Sequence, residues 1–369
     1  MLYNAAEQPD AGYTFLLVGA VDDAMKRIPS LDGLRAISVA LVIAGHLTHR
    51  HSGPMVILAA LGVQVFFVIS GFLITGLLQR EHERTDHIDL PAFYRRRCFR
   101  IFPAAFAYIL LTAALWPEVR SGLPYALTYT VSYHYLGTPE KFRHLWSLSI
   151  EEQFYLLWPL ALAIGYRYRA AIAWSTIGCE SALRLLCAIH HQHIWLLGTM
   201  DSIAAGCLLA IYASRIKERL AWLLPNSGGV AIALPFTCWT LASVLWAGWL
   251  ATLWSLVPLL IAAWVFLLVE RRDWILNNPA VCGIGVLSYS LYLWQQPFTT
   301  DPGCPSWMAL LFLFAAALAS YLCIEKPLIK LGKRLADNRQ AGAPRMVATT
   351  GWSRFRLRSS AVPESRDWD

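Results

Sequence analysis

Long apolar stretches separated by short basic clusters run along the chain from Leu31 to Ser320. Each stretch has about 18 or more residues, so as a helix it is long enough to cross the ~30 Å hydrocarbon core of a bilayer. We therefore expect an all-α fold, a polytopic membrane bundle of about ten transmembrane helices. The predicted spans are Leu31–Arg50, Met55–Gln79, Phe99–Trp116, Leu145–Gly165, Ala170–His190, Ile194–Ala213, Val230–Leu250, Ala251–Val269, Ala280–Phe298 and Pro305–Ile324.

One more segment, Leu123 to Leu136, decides between ten and eleven spans. It has about 14 residues interrupted by Thr, Ser, Tyr and His, which suits a re-entrant or interfacial segment better than a span. If it does not cross, the main basic clusters all fall on one side, as the positive-inside rule requires of cytoplasmic loops. This favours ten spans, both termini cytoplasmic and an outer segment from Pro117 to His144, although Arg120, Lys141 and Arg143 then lie outside.

Three regions are expected. Residues 1–27 form an N-terminal cytoplasmic extension and residues 28–335 form the membrane domain. Residues 336–369, rich in Arg, Ser, Asp and Pro, are expected to be a disordered cytoplasmic tail. The predicted location is the plasma membrane, with multiple passes.

Composition and charge narrow the class. Hydrophobic residues make up 57% of the chain and charged residues 15%, whereas soluble proteins have about 25% charged residues. The net charge of +7 is distributed in loop clusters, which argues against nucleic-acid binding. The eight cysteines form no C-x-x-C pair, so neither a metal site nor a disulfide framework is predicted.

Ionisable side chains inside apolar spans are costly and are therefore candidate functional residues. Arg35 and His46 lie in the first span, eleven residues apart, which on a helix places them ~16 Å apart along the axis and near one face. Glu151 and Asp201 are predicted at a depth similar to that of His46, so the three side chains could share one layer. A carboxylate beside the ring would suit a histidine acting as general base. The alternatives are a structural buried histidine and an ion pair between Glu151 and an arginine.

Two further pairs of charged residues lie in or next to the spans, and each can be explained without a role in catalysis. Glu180 and Arg184 are four residues apart, which predicts mutual neutralisation on one helix face. Arg97 and Arg100 are three apart at the start of the third span. They either fix the topology or clamp a phosphorylated ligand arriving from the cytosol.

Several motifs in order resemble the membrane-bound acyltransferase family 3, the O-acyltransferases of sugars and other extracytoplasmic acceptors. The similarity extends from about Ile28 to Leu331. The motifs are Ser30–Arg35 leading to His46, Gly62-Val63 with Phe66-Phe67, Ser70–Leu73, Tyr94–Pro103, Leu145–Pro159, Leu287–Trp294, and Tyr321 with Ile324–Pro327.

The resemblance implies an enzyme that takes an acyl group, acetyl in particular, from acyl-CoA on the cytoplasmic side and transfers it to a glycan or glycolipid hydroxyl outside. In that family the first-span arginine and histidine are essential, here Arg35 and His46. No bound cofactor is implied. The candidate catalytic residues are His46, Arg35 and Glu151, and the candidate substrate-binding residues are Arg97, Arg100, Asp201, Tyr292, Gln295 and Glu325.

Two positions depart from the family pattern. Gln295 stands where a histidine is usual, and Thr199 stands where an arginine is usual. Either change could alter acceptor choice or weaken activity, which leaves an inactive relative as one alternative. A multi-span transporter is another, although the sequence shows no internal repeat of the kind typical of carriers. The esterase-like domain that often follows the spans in this family is not expected here.

Overall fold

The computed structural model describes residues 28–47, 54–190, 199–220, 222, 228–245, 254–271, 274–300 and 305–342. This part of the chain is helical and contains no strand. The predicted extension 1–27 and tail residues 343–369 lie outside it. The longer helices are α1 (Pro29–Leu47), α2 (Pro54–Thr85), α3 (Leu90–Leu115), α4 (Leu145–Gly165), α5 (Arg169–Ile189), α6 (Met200–Leu220), α7 (Gly228–Leu245), α8 (Leu256–Arg271), α9 (Pro279–Trp294), α10 (Ser306–Ser320) and α11 (Lys326–Gly342).

Each predicted span overlaps one of the helices α1 to α10, and the bounds of α4 are those predicted. Four helical stretches of the described chain are long and apolar enough to cross a membrane. They are Pro29–Leu47, Met55–Thr85, Leu90–Leu115 and Ser306–Leu335. The all-helical membrane fold is thus confirmed at this coarse level.

The segment between α3 and α4 is broken into short helices of at most six residues, too short to span a bilayer. Three of the pieces carry a proline at or next to their first residue: Pro117, Pro124 and Pro139. Proline has no backbone N–H and so starts helices more readily than it continues them. The short helices are Pro117–Gly122, Leu123–Leu127, Val131–Tyr133, Tyr135–Gly137 and Glu140–Arg143.

Side-chain caps determine where two of the functional helices begin. The Asp89 carboxylate accepts a hydrogen bond from the Ala92 backbone N–H at 2.9 Å, which caps α3. The Asn278 amide oxygen accepts one from the Ala280 N–H, also at 2.9 Å, and Pro279 follows as the first residue of α9. Such caps pair backbone donors that a helix start would otherwise leave unsatisfied.

Helix α1 occupies the centre of the arrangement, packed against α2 on one side and α9 on another. Helix α2 in turn packs closely along α6, and two facing glycines allow this. A Cβ on Gly71 would collide with the Ile203 carbonyl oxygen, and one on Gly206 would collide with the Val68 carbonyl oxygen. The small residues around Ser70 thus permit close helix packing, as the motif predicted.

The last two helices are joined by a π-helical turn, Tyr321–Glu325. Helix α11 then packs along α3, where Gly332 lies against the Phe99 ring. Because α11 ends at Gly342, the chain remains helical for seven residues past the predicted start of the tail at residue 336.

Candidate active site

Three arginines from two helices converge near the middle of the bundle. Arg35 of α1 forms an ion pair with Asp32 at 3.5 Å and lies within electrostatic range of Arg100 on α3. Arg97, one turn before Arg100, stacks its guanidinium 4.6 Å from the centre of the Tyr155 ring. The structure therefore brings Arg35, Arg97 and Arg100 together.

The Arg100 guanidinium is the least satisfied of the three. Among the described residues, no carboxylate lies within ion-pair distance of Arg100. Arg100 is exposed, although it is the eleventh residue of α3. Two like charges, on Arg97 and Arg35, act on it. Concentrated positive charge with open hydrogen-bond donors suits an anionic group such as a phosphate.

Glu151 of α4 lies beside this arginine cluster. Its carboxylate oxygen Oε1 accepts hydrogen bonds from the hydroxyls of Ser70 on α2 and Tyr155 on α4. The carboxylate is within electrostatic range of both Arg35 and Arg100. Glu151 thus links α2 to α4 and offsets part of the positive charge, while no arginine of the described residues lies within ion-pair distance of it.

Glu325 completes the arginine cluster from the π-helical turn. Its buried carboxylate accepts hydrogen bonds from the Ser290 hydroxyl at 2.5 Å and the Ser320 hydroxyl at 3.3 Å, and its charge acts on Arg100. With Oε1 held by two serines, Glu325 has a fixed position. π-Helical turns inside α-helices occur frequently at functional sites.

His46 lies near the other end of α1. Its Nδ1 is 2.8 Å from the backbone carbonyl oxygen of Val42, one turn earlier. Because a carbonyl only accepts hydrogen bonds, Nδ1 carries the proton in this arrangement. The neutral ring then has its lone pair on Nε2, the form that a general base requires.

Next to His46 is a second group of polar side chains, which we call the outer cluster: His144, Ser147 and Tyr292. The Tyr292 hydroxyl lies 2.8 Å from the His144 carbonyl oxygen and 2.5 Å from the Ser147 hydroxyl. His144 is within electrostatic range of His46. Gln295 follows at the end of α9 and is fully buried.

Asp201 lies in a different environment from the one that its depth suggested. Its carboxylate binds the Arg184 guanidinium at 2.8 Å and the Ser255 hydroxyl at 2.8 Å. Glu180 joins the same group through a 3.3 Å ion pair with Arg184. The predicted Glu180–Arg184 pair is thus present, and it belongs to a larger network that joins α5, α6 and Ser255, the residue just before α8. We expected Asp201, Glu151 and His46 to share one layer. Asp201 binds Arg184 and Ser255, whereas Glu151 binds Ser70 and Tyr155.

Sequence reasoning overlooked some members of both clusters. Ser70 and Tyr155 had been quoted only as parts of motifs, yet they hold Glu151. His144 had been quoted as the start of a motif and given no role. The signal available for His144 was its type, a histidine immediately before an apolar helix that already carried Glu151.

No group of three or more His, Cys, Asp or Glu side chains in the described ranges is arranged to hold a metal ion.

Comparison with known sequences identifies similar proteins. The profile described as "Acyltransferase domain" matches residues 28–325. A Staphylococcus aureus (strain COL) protein with the provisional name O-acetyltransferase is 30% identical over 88% of this chain and 61% of its own length. The Listeria monocytogenes peptidoglycan O-acetyltransferase OatA is 28% identical over 83% of this chain and 56% of its own. The Staphylococcus aureus (strain NCTC 8325) O-acetyltransferase OatA is 30% identical over 83% of this chain and 58% of its own length.

The chain thus spans about three fifths of the length of these curated relatives. No solved structure matches it significantly.

Proposed function

Since the chain belongs to the acyltransferase-domain family, whose profile matches residues 28–325, we propose that it transfers an acetyl group from acetyl-CoA to a hydroxyl of a cell-surface glycan. Peptidoglycan is the first acceptor to test, because one relative is named for that substrate. The observation that carries the proposal is the placement of Arg35 and His46 on one helix. Arg35 lies in the arginine cluster, and His46 has its Nδ1 held by the Val42 carbonyl oxygen, which leaves the lone pair of the neutral ring on Nε2.

The proposed topology has ten spans with both termini in the cytoplasm, in the plasma membrane. In this orientation α1 enters from the cytoplasm, so Arg35 lies nearer the inner side and His46 nearer the outer side. The ~16 Å that eleven helical residues cover is similar to the length of an extended pantetheine arm. Arg35, Arg97 and Arg100 would hold the donor while its thioester reaches His46.

The proposed reaction is a single acyl transfer. His46 Nε2 takes the proton of the acceptor hydroxyl as that oxygen attacks the thioester carbonyl carbon. The tetrahedral intermediate collapses, the carbon–sulfur bond breaks, and the imidazolium returns the proton to the departing thiolate. The products are an O-acetyl ester and free CoA. Glu151 would support this step indirectly by balancing the charge of Arg35 and Arg100.

The remaining candidate residues take secondary roles in this proposal. Glu325 would hold Arg100 toward the donor, and Tyr292 and Gln295 would contact the acceptor on the outer side. For Asp201, with its carboxylate bound to Arg184 and Ser255, we propose that any substrate contact is indirect.

The test is acetyl transfer by purified protein reconstituted in liposomes, with acetyl-CoA labelled in the acetyl group and a soluble peptidoglycan fragment. His46→Gln should lower the transfer rate by about 10² to 10⁴, the usual contribution of a general base. His134→Gln is the matched control, since His134 is exposed and its ring stacks on Tyr125, a residue of neither cluster.

Three results would contradict the proposal. Near wild-type turnover by a folded His46→Gln variant would make His46 structural, and the base would have to be sought at Glu151. Passage of the fragment across the membrane without ester formation would favour a transporter. Wild-type protein that binds acetyl-CoA but labels no glycan would identify an inactive relative.

A further inference from the structure

His144 is a second buried histidine next to the proposed base, and the proposed reaction gives it no role. It immediately precedes α4 and is 3% exposed. Its ring lies between Tyr108 of α3, at 5.4 Å between ring centres, and Tyr292 of α9, at 5.7 Å. Three helices therefore fix the position of this imidazole.

The hydrogen bonding of His144 leaves one nitrogen open. Nε2 lies 3.1 Å from the Leu293 carbonyl oxygen, so Nε2 donates and carries the proton. Nδ1 then has a lone pair. That atom is buried, and the described part of the chain offers it no hydrogen-bond partner. Buried polar atoms without partners are rare in folded proteins, and each one calls for an explanation such as a bound ligand.

The protonation state of His144 excludes one explanation. Burial, and then the positive charge that His46 carries when it is protonated, lower the pKa of His144 to about 3. Since the ring stays neutral at physiological pH, Nδ1 acts as a hydrogen-bond acceptor and not as a second base.

A second unpartnered group lies close by along the chain. Gln295 follows Leu293 by two residues, is fully buried, and in the described structure has no partner for either Oε1 or Nε2. His144 Nδ1 and the Gln295 amide together present two open acceptor atoms and one open amide nitrogen, and His144 lies within electrostatic range of His46. This combination matches a ligand rich in hydroxyl or amide groups, and it does not match an acyl chain.

We propose that Nδ1 of His144 accepts a hydrogen bond from the acceptor glycan, from a hydroxyl or amide N–H next to the hydroxyl that is acylated. This rests on the proposed function and adds a binding residue to it. His144 would orient the sugar so that the reacting hydroxyl points at His46, and the Gln295 amide would pair with a further polar group of the same sugar.

The experiment combines one variant with a set of acceptor analogues. The variant is His144→Phe, because a phenyl ring keeps the packing against Tyr108 and Tyr292 while removing both nitrogens. The acceptors are a peptidoglycan disaccharide and analogues in which one donor at a time is replaced by hydrogen. His134→Phe serves as the control for the loss of a histidine.

For wild-type protein we expect one analogue to raise the acceptor KM by about tenfold, the effect of one lost hydrogen bond to a buried partner. His144→Phe should raise the acceptor KM for the intact disaccharide by a similar factor, without a matching change in the acetyl-CoA KM. The variant should no longer distinguish the intact disaccharide from that analogue. Undiminished discrimination by His144→Phe, or a parallel rise in both KM values, would overturn the proposal.

Two additional measurements keep the test decisive. If His144→Phe fails to fold, the analogues with wild-type protein still decide, because a KM that no analogue changes contradicts any such hydrogen bond. Direct binding of the disaccharide, measured without acetyl-CoA, separates this inference from the proposed activity. Wild-type protein that binds the disaccharide more tightly than that analogue, yet transfers no acetyl group, would refute the activity and leave the role of His144 standing.

Discussion

At the scale of single residues, open hydrogen-bonding groups separate candidate ligand contacts from supporting groups. Arg100 has an open guanidinium, whereas both Glu151 and Glu325 have Oε1 bound by neighbouring hydroxyls. Buried networks of this kind fix the side chains that take part in them. The two carboxylates are therefore better suited to holding the arginine cluster in place than to binding substrate.

Replacement of Arg100 by glutamine should weaken donor binding selectively. A hydrogen bond to a charged group contributes about 1.5–3 kcal/mol, so Arg100→Gln should raise the acetyl-CoA KM by roughly 10- to 100-fold. The acceptor KM should change little. Lys217→Gln is the charge-matched control, because Lys217 is more than half exposed and pairs with Glu270 at 2.7 Å on the surface. Equal changes in both KM values, or loss of the protein from the membrane, would point to a topological role for Arg100.

The sequence could predict the relative placement of site residues only where they lie on the same helix. Arg35 and His46 could be recognised because an eleven-residue spacing within one helix determines their relative placement. The neighbours of Asp201 could not be recognised, since Arg184 comes from α5 and Ser255 from the residue just before α8. The open Nδ1 of His144 also depends on a distant partner, the carbonyl of Leu293.

At the scale of helices, the contact between α2 and α6 is the one most sensitive to added volume. Gly71 and Gly206 each face a backbone carbonyl of the other helix, and neither carbonyl can rotate away as a flexible side chain would. This contact also carries Ser70, which binds Glu151, so packing and site geometry are linked.

Gly71→Ala should therefore destabilise the protein. Forcing one methyl group into a packed contact typically costs about 1–3 kcal/mol, which should lower the thermal midpoint of the purified protein in detergent. Gly178→Ala is the matched control: Gly178 also lies in a helix, but an added Cβ would meet nothing within 4 Å. That substitution should be neutral or stabilising by up to about 1 kcal/mol, because alanine is the better helix former. Similar thermal midpoints for the two variants would contradict the close packing of α2 and α6.

Element types and several helix bounds could be predicted because apolar length sets them. The α4 bounds agree to the residue: the helix begins just after the polar His144 and ends at Gly165, before the Tyr166–Arg169 segment. The start of α3 was predicted at Phe99 but lies at Leu90, because the Asp89 cap begins the helix before its apolar part. Neither the π-helical turn nor the extension of α11 to Gly342 has a signal in hydrophobic periodicity.

At the scale of the whole molecule, the number of spans sets the side on which each loop lies. The short helices between α3 and α4 are fastened to the bundle, for example by the Tyr108 hydroxyl, which donates to the Lys141 carbonyl oxygen at 2.5 Å. We place this segment outside, and we place inside the loop that joins α2 to α3 and the loop that joins α6 to α7.

Labelling of single cysteines in intact cells tests this arrangement. In a background without the native cysteines, Gly137→Cys should react with a membrane-impermeant maleimide, because an added Cβ there meets nothing within 4 Å. Arg84→Cys and Lys217→Cys should react only after the cells are opened. Protection of the cysteine at position 137 in intact cells, with labelling after opening, would refute the ten-span topology.

The π-helical turn Tyr321–Glu325 makes this region sensitive to chain length as well as to residue type. A π turn contains one residue more than the α-helix around it, so it corresponds to a single-residue insertion. Deleting one residue there would restore regular helix and remove the widened turn that holds Glu325 against the Ser290 and Ser320 hydroxyls. The contact of Glu325 with the arginine cluster would then be lost. Natural variants should accordingly exchange side chains in this turn far more readily than they gain or lose a residue.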